Sequence, residues 1–153
     1  MTTASQLKLS LPVSQRTALV TVETVRAALG VDVETVWGWI DDGTILWAWD
    51  ISAAARRDAA NRELRVWARD VLRLGGATLG SAVEPGLPQA IRTIIGHDRD
   101  RLSVQELARL LCSSRQHLHR LIDCGLLVGP QVGHCQFVTR NSLVAFLEER
   151  HLA

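Results

Sequence analysis

The chain has 153 residues, of which 47% are hydrophobic and 22% charged, with a formal net charge of +1. That composition buries a core and fits one domain or two small ones. No apolar run reaches the ~18–20 residues of a membrane-spanning helix, and the start MTTASQLKLSLPVSQRT lacks the basic-then-apolar pattern of a signal peptide.

Charge is spread unevenly along the chain. Residues 1–53 hold three basic and six acidic side chains, residues 54–75 six arginines against three acids, and residues 97–153 seven basic against six acidic. Sixteen of the seventeen basic residues are arginine, a bias that follows from a GC-rich genome as readily as from bidentate phosphate contacts. Three cysteines without paired spacing suit free thiols in a reducing compartment.

Residues 1–18 read as an N-terminal arm. The next stretch, TVETVRAALGVDVETVWGWIDDGTI (21–45), reads as two short helices. Thr21 and Asp32 are their expected caps and Gly43 the stop. Val36, Trp39 and Ile40 fall on one face of the second helix, which leaves Val33, Glu34, Trp37, Gly38, Asp41 and Asp42 outward. Three acids facing phosphates would be repelled, at roughly 1 kcal/mol per close pair even in water. An exposed Trp is more often an interface anchor than a plain surface residue. Glu34, Trp37 and Asp41 therefore read as a protein-contact face, against the alternative that Trp37 packs inside its own monomer. ILWAWDIS then alternates Trp47 and Trp49 with Ala48 and Asp50, the period of a strand, with no room for a full hairpin.

Residues 53–74 read as the longest helix. Ala60, Leu64, Trp67, Val71 and Leu74 make its buried stripe. Arg62, Arg65, Arg69 and Arg73 share the opposite face within a sector of ~80°. That stripe suits a nucleic-acid backbone or an acidic partner, and an ordinary solvated face is equally open. Residues 75–87, small and turn-rich, read as a linker. Pro88 opens a short helix to about Ile95.

In the segment 103–125, Ser103 and Glu106 form a capping box ahead of the stripe Val104, Leu107, Ala108 and Leu111. Ser114 caps a second helix that buries Leu118, Leu121 and Ile122 and stops at Gly125. Leu126–Val128 and Cys135–Thr139 read as strands around the turn GPQVGH. Asn141 or Ser142 caps a last helix with Leu143, Phe146 and Leu147 inward.

The two helix pairs are one repeat. At an offset of 82 residues, 21–45 lies over 103–127 without a gap, matching Val25 to Leu107, Leu29 to Leu111, Ile40 to Ile122 and Gly43 to Gly125. The matches are mostly apolar, the mark of a shared packing plan rather than a shared surface. Connections of three or four residues between the helices suit a helix-turn-helix.

LSVQELARLLCSSRQHLHRLIDCGLL, a short hairpin and VTRNSLVAFLEER together resemble the excisionase and MerR type of winged helix-turn-helix. The resemblance covers about residues 101–150 well and 19–51 moderately. It departs at Cys112-Ser113-Ser114, where the family has Gly-Val-Ser, and in lacking the long C-terminal coiled coil. It implies a mainly α fold of two helix-turn-helix modules, the C-terminal one winged by a small β-hairpin. The expected boundaries are 19–74 for the first module with its basic helix and 88–153 for the winged one.

The resemblance also implies DNA binding, as a transcription regulator or as an excision or architectural factor of a mobile element. In such a module the second helix enters the major groove, its N-terminal residues toward the bases. The outward residues there are Arg115, Gln116, His119 and Arg120. Arg can bridge guanine O6 and N7, and Gln can bridge adenine N6 and N7. Gln131, His134 and Gln136 of the wing are further candidates, with Arg140 either on phosphate or bracing the wing. Double-stranded DNA is the expected partner, with a homodimer on paired half-sites and a cytoplasmic, nucleoid-associated location. A protein adaptor of phage or mobile-element machinery is the alternative reading, with the first module as its contact. No CxxC spacing, phosphate loop or nucleophile elbow is present, so neither metal, cofactor nor enzymatic activity is expected.

Overall fold

The computed structural model describes residues 19–53, 62–76, 85–96 and 99–152, and builds each copy of the repeat from the same series of elements. The first copy runs through strand β1 (Leu19–Thr21), helices α1 (Val22–Leu29) and α2 (Val33–Asp41), strands β2 (Ala48–Asp50) and β3 (Leu64–Trp67), and helix α3 (Ala68–Leu74). Helix α4 (Leu87–Ile95) leads to the second copy. That copy comprises strand β4 (Arg101–Ser103), helices α5 (Val104–Leu110) and α6 (Arg115–Asp123), strands β5 (Gln131–Val132) and β6 (Cys135–Thr139), and helix α7 (Arg140–Arg150). Seven helices and two antiparallel three-stranded sheets make the described part a mixed fold rather than the mainly α one expected.

Local chemistry fixes the helix ends. Thr21, Asp32 and Ser114 each accept a hydrogen bond from the backbone N–H three residues on, and Ser103 and Glu106 form the full reciprocal capping box. Gly43 and Gly125 both have positive φ, 83° and 78°, just past their helices. Helix α7 is capped by Thr139, whose hydroxyl accepts from the Ser142 N–H, and not by Asn141 or Ser142. Cys112 replaces Gly30 of the first copy and keeps its left-handed backbone, at φ 51°. Few non-glycine residues adopt that conformation.

The repeat extends to strand register. Leu19 pairs with Trp67 and Thr21 with Arg65; 82 and 72 residues further on, Arg101 pairs with Thr139 and Ser103 with Phe137. The difference in offset is a longer connection between β2 and β3, so the first copy has a complete strand return after all. In the second copy the hairpin is tighter than expected. Val132 pairs with Cys135 around Gly133 and His134, and Leu126–Val128 is not a strand.

The expected helix over 53–74 is replaced from residue 64 by strand β3, and helix α3 begins only at Ala68; residues 54–61 lie outside the described residues. The spacing of Leu64, Trp67 and Val71 fits a helix, but β3 is the central strand of its sheet and all four of its residues are buried. A strand covered on both faces loses the alternation that would mark it.

What covers β3 explains the whole. Val20, Ala48, Leu64 and Val66 pack on Val25, Val36 and Ile40 of the first copy's own helices. From the other face Leu19, Trp47, Trp49 and Trp67 enter a second core with Ile91, Leu107, Leu121 and Phe146. The first sheet is thus packed between its own helices and the second copy. Polar bonds fasten that junction. Arg65 Nε donates to Leu111 O at 2.9 Å, Arg150 Nη1 to Ser52 O at 3.0 Å, and Leu152 N to Ala48 O at 2.9 Å. His117 Nε2 lies 2.6 Å from Ile51 O.

Candidate nucleic-acid interface

Helix α6 is short and held from below. Leu118 and Leu121 are fully buried, His117 is tied to Ile51 just past β2, and the remaining side chains of its first two turns face outward. Arg115, Gln116, His119 and Arg120 are all exposed, as expected. None of them takes part in an ion pair among the described residues.

The hairpin β5–β6 stands beside α6 and encloses a cleft of about 450 Å³. Arg115 and His119 form its helical wall, and Gln131 and His134 its hairpin wall. Gln105 on α5 and Cys135 also line it, and no residue of its lining is acidic. Residues far apart in sequence are therefore gathered round one opening that carries the Arg115 guanidinium, two imidazoles and three amide side chains, with Ser103, Val104 and Cys135 between them.

Two of the expected contact residues also make bonds within the fold, Gln136 while lining the same cleft. The Gln136 side-chain amide donates to Gly129 O at 3.1 Å and Phe137 O at 2.9 Å, which ties its donor group to the hairpin. Gly129 is required there, because a Cβ would sit 2.1 Å from Phe137 O. Arg140 Nη1 donates to Gly96 O at 2.6 Å, so it braces the approach to β4 rather than the wing.

The four arginines expected in line part company once β3 replaces the helix. Arg65 is buried against the second copy. Arg69 stacks over the Trp67 ring at 5.4 Å. Arg73 pairs with the buried Asp70 at 3.0 Å and donates to Thr44 O. Arg62 lines a surface cleft beside Trp37, and Arg65 also reaches its lining.

That second cleft, about 320 Å³, is the counterpart of the first. Val33 stands where Arg115 stands and Trp37 where His119 does, with Glu23 and Glu63 on the lining. Glu34 and Asp41 are exposed on α2, while Trp37 is half-buried against the first core. Trp39, expected to be a core residue like Leu121, is only half-buried. The Glu23 carboxylate pairs with Arg26, which holds its pKa below the usual range.

Sequence reasoning missed Gln105 and Arg109. Arg109 is exposed at the end of α5 and lies with Ser113 and Arg115 round a further opening. Its only signal was a position outside the apolar stripe of α5. Among the described residues no three of His, Cys, Asp and Glu come together to hold a metal ion, and no helix is long and apolar enough to cross a membrane. No protein-family model, curated protein or solved structure matches the chain.

Proposed function

We propose that the protein binds double-stranded DNA through α6 and the β5–β6 hairpin, as a sequence-specific regulator or an architectural factor of a mobile element. The observation that carries this reading is the acid-free cleft between helix and hairpin, with Arg115 and His119 facing Gln131 and His134 across it. A helix flanked by a hairpin offers the major groove a row of base-reading side chains and the adjoining backbone a second contact. Arg115 and Gln116, at the first two positions of α6, are the base readers. Arg120 and Arg109 are placed for phosphates, which supply affinity without sequence information.

Selection from a random pool of duplexes tests the reading. The wild type should enrich a short motif, and Arg115→Ala should lose preference at one guanine within it, at a cost of about 1–3 kcal/mol. A pool that emerges unenriched at low salt would contradict sequence-specific binding.

A further inference from the structure

Helix α2 contains a glycine that its own chain does not explain. Gly38 lies mid-helix and exposed, and a Cβ added there would meet nothing within 4 Å. Glycine weakens a helix relative to alanine, and no turn or close neighbour here requires it. Its surroundings are equally particular. Glu34, Trp37, Gly38 and Asp41 fall at i, i+3, i+4 and i+7, one stripe of the helix. Between Arg26 and Arg56 the chain carries five acids and no Lys or Arg. Trp37 closes one side of the cleft beside the stripe with Val33 and Leu64, and charged Glu23, Arg62 and Glu63 complete its rim. A missing side chain at a crossing point lets a second helix axis approach closely.

We propose that this face of α2 holds the α6 face of a second copy of the chain. The two helices are the same length, nine residues each. Their charges are complementary, with Glu34 and Asp41 on one and Arg115 and Arg120 on the other; Asp123, at the far end of α6, is that helix's one acid. Nucleic acid is excluded as the occupant of α2 by the same carboxylates. The contact is head-to-tail, so each copy keeps a second face free, and it withholds the engaged α6 from any other ligand. The competition with DNA rests on the function proposed above, whereas self-association does not.

Sedimentation velocity of the full chain at low salt tests this. The wild type should gain mass with concentration and lose it in high salt. Glu34→Lys/Asp41→Lys and Arg115→Glu/Arg120→Glu each set like charges across the contact, so each alone should sediment as a monomer. An equimolar mixture restores opposite charges at both faces and should recover the wild-type mass. Gly38→Ala should raise the Tm yet weaken association, a split that a purely structural role would not produce. A wild type that stays monomeric at every concentration overturns the proposal. So does a mixture that stays monomeric, or a Gly38→Ala variant that associates unchanged. Duplex DNA at one site per copy should dissolve the assembly, and an assembly that stays intact with DNA bound to every copy would count against the contact. Failure to bind DNA at all would remove the proposed function and leave the association standing.

Discussion

Asp32 shows how much a single residue declares locally. Its carboxylate accepts from the Thr35 hydroxyl and then from the Thr35 N–H, and these bonds hold its pKa below the usual Asp range. A depressed folded-state pKa stabilises the fold above the unfolded value, about 3.9, and that contribution fades as pH falls through the folded value. Asp32→Ala should therefore lower the melting temperature at pH 7, with the gap to wild type closing toward pH 2. A gap that stays constant across that range would mean the carboxylate is not the stabilising group. Caps of this kind were legible because donor and acceptor lie three residues apart. Gln136 and Arg140 were not, because their partners are carbonyls set by folding: Gly129 across the hairpin and Gly96 before β4. An outward Gln or Arg has the same signature in sequence whether it reads a base or braces a loop.

Among the elements, β3 separates what periodicity reveals from what it hides. The helix pairs stood out because each buries one face, whereas β3 is covered on both and kept an apolar spacing that a helix also satisfies. The three tryptophans Trp47, Trp49 and Trp67 belong to that second covering, since they fill the junction with the second copy. The arginines provide a direct check. Arg65 makes three hydrogen bonds to the backbone carbonyls of Leu64, Leu111 and Cys112 from a buried position, whereas the half-buried Arg69 stacks on Trp67. Arg65→Met should cost about 2–4 kcal/mol in urea denaturation by leaving those carbonyls unpaired. Arg69→Ala should cost less than about 1 kcal/mol. Equal losses would mean that β3 is not the strand joining the two copies.

For the whole molecule, the repeat read from sequence reached further than its 25 residues of aligned helix. It carried the same strand register in both copies, but it gave no sign that the two would share a core across residues 75–87. The two copies differ most plainly on the outer face of the second helix. One exposes Arg115, His119 and Arg120 at its second helix, the other Glu34 and Asp41 beside a half-buried Trp37. The function proposed above makes α6 the nucleic-acid face. Its most direct test is the salt dependence of duplex binding for wild type and Arg115→Ala/Arg120→Ala. The wild type should lose affinity linearly in log–log coordinates as phosphate-bound counterions are displaced. The variant should bind at least about tenfold more weakly, with a slope flatter by about one to two. A variant with unchanged affinity and slope, or a wild type that ignores duplex at low salt, would contradict it.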